Sequence, residues 1–200
     1  MYDLIGDIHG HADELTQLLD SMGYRLNRGV YEHPERKVIF LGDFIDRGPQ
    51  IRQVLDVVRP MVEGGKALAV MGNHEFNALA FHTKHMERED AFLRTRDNKN
   101  IRQHGQTYRT HALTDKLDFD DELMPEVIKA AVPYPPDAKP LFVGHYWLSG
   151  DHTELLAANI ACVDYSVAKG GFLCAYRWQG EQTLDKGQFF WVGRAMKSSN

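Results

Sequence analysis

The sequence predicts an α/β fold around a parallel sheet, on three observations. "YDLIGDIHGH", "KVIFLGD" and "KALAVMGNHE" are short apolar runs that each end in glycine and polar residues. Each run leads into a segment with helical spacing of apolar residues, and the polar residues gather at the same, carboxyl end of every run. Three strand-turn-helix units in succession call for crossover connections and parallel neighbours. In an open α/β sheet, side chains from such turns meet in one crevice.

The first strand starts at Tyr2, and Ala12, Leu15, Leu18, Leu19 and Met22 then recur at helical spacing up to Gly23. After "KVIFLGD", Pro49 opens a helix with Ile51, Val54, Leu55, Val58 and Met61 on one face, which Pro60 is expected to kink or end early. Ala67 to Met71 form the third strand, followed through Gly72 by a helix bearing Phe76, Leu79 and Ala80. From His85 to Asp121 the chain turns polar and reads as surface helix and loop. "MPEVIKAAVPYPPDAKP" reads as a short helix and a proline-stiffened connector. "LFVGHYW" reads as a buried strand ending in a histidine. "NIACVDYS", "GGFLCAYRW" and "GQFFWVG" follow as strands between glycine or polar turns.

Two hundred residues with 43% hydrophobic content suit one domain spanning 1–200, with a polar insertion or shortened region at about 84–139. A net charge of −5, with basic residues scattered, gives no electrostatic reason to expect nucleic acid or an acidic membrane as partner. No apolar run approaches the roughly 20 residues of a membrane helix, and a strand beginning at Tyr2 leaves no room for a secretion signal. A cytoplasmic location is therefore expected, where Cys162 and Cys174 read as buried reduced thiols.

Asp7 and His9 stand two apart at a strand end, so both side chains project to one side and grip one ion. Asp43 is placed identically after the second strand, and its two oxygens suit it to bridging two ions. Asn73 and His74 follow the third strand, and His145 the fourth. Oxygen and imidazole donors without thiolate favour manganese, iron or zinc, with nickel or magnesium also compatible. Two ions about 3.5–4 Å apart would generate hydroxide and hold both the attacking and leaving oxygens of a phosphoryl transfer. Arg47 reads as a planar fork for phosphate oxygens, and Asp46 as the acceptor for Nδ1 of His74, which would then donate to a leaving oxygen. Singly, these residues suit helix caps and turns; caps do not explain five of them at three strand ends. His11 lies near enough to touch substrate, while Trp147, Tyr165 and Trp178 read as core or rim.

Together "GDIHG", "GDFIDRGP", "GNHE" and a later "GH" resemble the calcineurin-like metallophosphoesterases, in the branch of serine/threonine protein phosphatases and diadenosine tetraphosphatases. The resemblance spans residues 1 to 83 and 140 to 192. It implies a β-sandwich flanked by helices (α/β/β/α) and metal-dependent hydrolysis of phosphoesters, on a nucleoside polyphosphate, a dinucleoside polyphosphate, a small phosphorylated molecule or a phosphoprotein. Carried over by position, it implies Asp7, His9 and Asp43 at one metal, Asp43, Asn73 and His145 at the other, and His74 as general acid partnered by Asp46. One family element has no counterpart: an apolar strand ending in a metal-binding histidine between "GNHE" and "GH". His111 is the nearest substitute by spelling, then His104. The alternative is a non-catalytic metal-binding or regulatory module with the same fold. A nuclease of the superfamily would need a basic groove that this composition does not advertise.

Overall fold

The computed structural model describes residues 1–88, 90–100, 134–149 and 152–193. The chain begins with β1 (Tyr2–Ile5) and α1 (Ala12–Ser21), then a hairpin of β2 (Arg25–Asn27) and β3 (Val30–Glu32). Next come β4 (Lys37–Phe40), α2 (Ile51–Glu63), β5 (Ala67–Ala69) and α3 (Asn73–His82). After residue 134 follow β6 (Leu141–Val143), β7 (Leu155–Ala157), β8 (Ile160–Cys162), β9 (Asp164–Tyr165), β10 (Phe172–Trp178) and β11 (Phe189–Gly193).

The main sheet has the order β11-β10-β1-β4-β5, with β9 paired to β10. Its first half is the expected parallel core: Ile5 sits beside Phe40, and Phe40 beside Ala69, so the three strands end level and their turns open at one edge. The carboxyl-terminal strands complete it antiparallel, with Ile5 beside Ala175. β6, β8 and β7 form a separate three-stranded sheet.

Alternation along β10 explains the layering. Leu173 and Ala175 join the core under α1 and α2, with Leu15, Leu18, Leu19, Val54 and Met61; Phe172, Cys174 and Tyr176 join a second core with Ala161, Val163 and Phe189, against which Phe142 and Leu155 of the smaller sheet pack. A strand buried on both faces reads as an unbroken apolar run, which is why "FLCAY" shows no period-two pattern. Helices, main sheet and second sheet thus stack as the expected sandwich. Both cysteines are free and buried, as their setting suggested.

Several local expectations are corrected. Pro49 precedes the helix, and Pro60 does not end it: α2 runs three residues further, to Glu63. Buried Val58 and Met61 anchor that turn on both sides of the proline, and the N–H of Lys66 closes it on the Met61 carbonyl at 2.8 Å. The third strand stops at Ala69, and Phe76 and Leu79 of α3 lie exposed while His74 and Phe81 form its buried face. β6 is only half-buried. The β2–β3 hairpin, unread in the sequence, turns at Arg28 and Gly29, both with positive φ. The helix expected in "MPEVIKAAV", His104 and His111 lie outside the described residues.

At the opposite end of β1 from the turns, Asp3 is fully buried and accepts from Arg36 Nε at 3.0 Å, Arg177 Nε at 3.1 Å and the Tyr24 hydroxyl at 2.9 Å. It ties β1 to β10, to the end of α1 and to the start of β4. Removing one partner of a buried ion pair leaves the other uncompensated, costing about 3–5 kcal/mol. Asp3→Ala is therefore expected to lower unfolding free energy by that amount in urea titration, with an unchanged denaturant slope.

Candidate active site

Two loops, one after β1 and one after β4, are laced together by their backbones. The N–H groups of Ile8 and His9 donate to the Asp43 carbonyl at 3.1 and 2.8 Å, Gly10 N–H to Phe44 at 2.9 Å, and Gly48 N–H back to His9 at 2.8 Å. Gln50 caps α1 from a distance, its side-chain oxygen accepting from the N–H groups of Ala12 and Asp13. His11, at the cap position, leaves that task to Gln50 and faces Glu14 at 3.6 Å.

The backbone of this region is strained. His9, Asp43, Asp46, Arg47, His145 and Trp147 all have φ between +45 and +73°. Each such residue costs of order 1–3 kcal/mol and persists only where its surroundings over-determine it. Glu75 supplies part of that determination: its carboxylate accepts from the N–H groups of Asp43, Phe44, Ile45 and Gly72 at 2.8 to 3.2 Å. Glycine is required at two contacts, since a Cβ on Gly72 would overlap Asp43 Oδ1 and one on Gly144 would overlap Asp7 Oδ1.

The turns bring the expected residues together. His9 and the Asp7 and Asp43 carboxylates are almost fully buried, with His9 Nε2 4.0 Å from Asp7 Oδ2 and 3.9 Å from Asp43 Oδ2. The other His9 nitrogen, Nδ1, bonds to the Ile45 carbonyl at 2.9 Å, which places the proton there and turns the Nε2 lone pair inward. Nε2 itself has no hydrogen-bond partner among the described residues. Burial and the neighbouring His74 hold His9 down to a pKa of about 3, so the ring is neutral. His145 places its N–H on the Asp7 carboxylate, 3.1 Å from Oδ2. Burial, then the nearby Asp164 and Asp43, push Asp7 up to about 8.

Two buried carboxylates beside a neutral imidazole with an orphaned lone pair, and a third near Asp7, form a donor set short of one cation. The residues present therefore fit a divalent metal. His9, Asp43 and His74 place donor atoms within 4.8 Å of one another. His74 is nonetheless the least suited ligand of the three. Its Nδ1 is 2.6 Å from Asp46 Oδ2, as the sequence suggested, and its Nε2 is 3.5 Å from Arg47 Nη2, a cation that a metal would face directly. Asn73 begins α3 with an exposed side chain that makes no hydrogen bond among the described residues, although the adjacent His74 N–H is fixed to Asp43 Oδ1 at 2.9 Å. The His145 side chain is likewise exposed.

Three residues escaped the sequence reading. Glu75 reads as an ordinary third-position helix residue of a capping box, and does fill that role, but it also holds the neighbouring loop. Asp164 follows the apolar "IACV" at a strand end, a signal of the same kind as Asp7 and Asp43, and is buried. Trp147 takes the rim position of the two the sequence left open, half-buried, and its contact with Arg47 is what the sequence did not show.

Comparison with known proteins gives the family and the fold. Residues 2–128 match the family model of the calcineurin-like phosphoesterases, more than half of the chain, and the chain belongs to that family. Over 74 residues it is 46% identical to a protein of Halalkalibacterium halodurans named bis(5'-nucleosyl)-tetraphosphatase PrpE [asymmetrical], and over 74 residues 45% identical to the protein of that name from Bacillus subtilis strain 168. Each match covers 36% of this chain and about 30% of the relative's length. A crystal structure provisionally assigned as a diadenosine tetraphosphatase aligns with 96% of this chain and 92% of its own at a TM-score of 0.57 and 16% identity. A cold-active protein tyrosine phosphatase aligns with 88% of this chain and 73% of its own at 0.50 and 19%. These two likenesses concern the fold alone.

Asp7 carries a raised pKa in the folded protein, so the stability it contributes is present below its ordinary value near 3.8 and is lost as pH rises through about 8. Metal-free Asp7→Asn is therefore expected to be more stable than the metal-free parent at pH 9, by roughly 0.5–2 kcal/mol, a trade of function against stability. Melting temperatures with and without manganese check this. The parent should gain stability with added metal, and the variant should gain little.

Proposed function

We propose that this protein is a metal-dependent phosphoester hydrolase acting on a nucleoside polyphosphate, with a phosphoprotein as the second substrate class. The observation that carries the reading is the buried Nε2 of His9, without a hydrogen-bond partner among the described residues, between the Asp7 and Asp43 carboxylates. Asp7, His9 and Asp43 would hold one divalent cation, and Asp43, Asn73 and His145 a second, with manganese the leading choice. When bound, such cations supply a water of lowered pKa and neutralise charge on the phosphoryl group.

The chain's own residues perform the rest. Arg47 offers a planar fork to the phosphoryl oxygens. Asp46 fixes the His74 ring through Nδ1, so that Nε2 is the atom that exchanges a proton with the departing oxygen. Arg47 Nη2 lies 3.5 Å from that atom, so the phosphate fork and the proton-exchanging nitrogen face the same point. The names of the matched relatives favour a dinucleoside tetraphosphate as the polyphosphate.

Turnover of p-nitrophenyl phosphate and of diadenosine tetraphosphate with added manganese tests the proposal. His74→Asn is expected to lower kcat about 10²–10⁴-fold while leaving manganese binding in place. Asp46→Asn should act in the same direction by a smaller factor. A folded, metal-loaded parent with no turnover above background on either substrate would sink the reading and favour the non-catalytic module.

A further inference from the structure

Trp147 stands two residues beyond His145, and two cations press on its indole. Arg47 Cζ lies 4.0 Å from the ring centroid and Lys169 Nζ 3.5 Å from it. The main chain that carries the tryptophan is pinned. Trp147 is left-handed at φ 50°, its N–H donates to Asp164 Oδ2 at 2.8 Å, and the next N–H, of Leu148, donates to the Asp164 carbonyl at 3.1 Å. Ser166 closes the clasp, donating its N–H to Asp164 Oδ1 at 3.0 Å and its hydroxyl to Leu148 at 3.3 Å. Lys169 ends the 3-10 turn Val167–Lys169 that follows directly, and its side chain is exposed.

Magnitudes argue against a purely structural purpose. An exposed cation gains about 0.5–1 kcal/mol from an aromatic face. Two cations on one ring stand within about 8 Å of each other, and their repulsion costs roughly 0.5–2 kcal/mol between surface and bulk-water dielectrics. The two effects nearly cancel, so the cluster contributes little to the fold. It makes physical sense when an anion joins it. Arg47 already reaches His74, so the position beside Lys169 is next to the reacting phosphoryl group rather than on it.

We propose that Arg47, Trp147 and Lys169 form a second phosphate subsite, which binds the phosphoryl group adjoining the scissile one and selects phosphoanhydride chains over phosphomonoesters. The inference rests on the phosphoesterase reading of the neighbouring centre. In an anhydride chain the neighbouring phosphoryl group shares one bridging oxygen with the scissile one, which brings its charge within reach of Lys169. A monoester presents no such group. Trp147 is a positioning residue here: it holds both cations at fixed distance while Asp164 holds it.

The test uses the full chain and two readouts. Calorimetry in EDTA compares inorganic tripolyphosphate with orthophosphate, and steady-state kinetics with manganese compare diadenosine tetraphosphate with p-nitrophenyl phosphate. Lys169→Ala is expected to weaken tripolyphosphate binding, and to raise KM for the tetraphosphate, about tenfold more than for the single-phosphate partner. Lys169→Arg should restore the difference, Trp147→Leu should abolish it, and Trp147→Phe should keep most of it. Lys37→Ala, at the far end of β4, controls for net charge. Equal effects of Lys169→Ala on both ligands, no effect on either, or an equal effect of Lys37→Ala would overturn the subsite. A parent that binds tripolyphosphate through Lys169 yet hydrolyses neither ester would leave the subsite standing and remove the hydrolase. Hydrolysis with an unmoved KM ratio would do the reverse.

Discussion

The crowding of carboxyl groups after β1 and β4 and at the start of β9 is the constraint on which the rest of the structure depends. Asp7, Asp43 and Asp164 are all buried, and the group between the first two, His9, is neutral with its inward nitrogen lacking a hydrogen-bond partner among the described residues. A core does not assemble such a set for stability, because burying an ionised carboxylate costs more than a protein of this size has to spare. The arrangement is understandable as half of an ion pair whose other half is a divalent cation. Its cost is carried by the apolar contacts of α1 and α2 with the sheet and by the ion network around Asp3, both of which lie away from the turns.

The same constraint explains the backbone. Left-handed φ angles at His9, Asp43, Asp46 and Arg47 aim four side chains in directions that the strands and helices on either side would not give them. Local sequence cannot enforce that against a penalty of order 1–3 kcal/mol per residue, so hydrogen bonds from distant residues do. Glu75 gathers four N–H groups, Gln50 caps another loop's helix, and the two loops exchange backbone bonds in both directions. A side chain that looks like a helix cap in sequence thereby becomes a fastening for the centre.

That distinction marks what was legible in the sequence. Strand ends bearing Asp7, Asp43 and Asn73 could be read because period and polarity change together there, and the parallel half of the sheet follows from the repeated unit. His74 and Asp46 could be paired because an imidazole and a carboxylate in adjacent turns have an evident use for each other. Asp164 carried a similar mark, but "ACVDYS" lies in a stretch that reads as strand throughout, so its carboxylate gave no sign of facing a crevice. The β2–β3 hairpin was hidden because Arg28 occupies a left-handed position usually given to asparagine or glycine. Phe76 and Leu79 have helical spacing, yet their face is exposed: spacing tells which residues share a face, not which face is inward.

The centre has two walls, one from each end of the sequence. Asp7, His9, Asp43, Asp46, Arg47 and His74 fall within residues 2–128, the stretch that matches the family model, whereas His145, Trp147, Asp164 and Lys169 fall beyond it. The walls meet where the His145 N–H bonds Asp7 and where Arg47 lies against Trp147. Gly144, where a Cβ would overlap Asp7 Oδ1, tightens the junction on the backbone side, whereas the Trp147 side chain lies against Arg47 and Lys169 rather than against the donor set. On the proposed reading, charge and aromatic character at Trp147 and Lys169 would set what lies beside the reacting phosphoryl group, apart from the residues proposed to hold the ion and move the proton. The proposed division would place chemistry in the parallel, helix-covered half of the sheet, and substrate choice in the antiparallel half with the loops it supports.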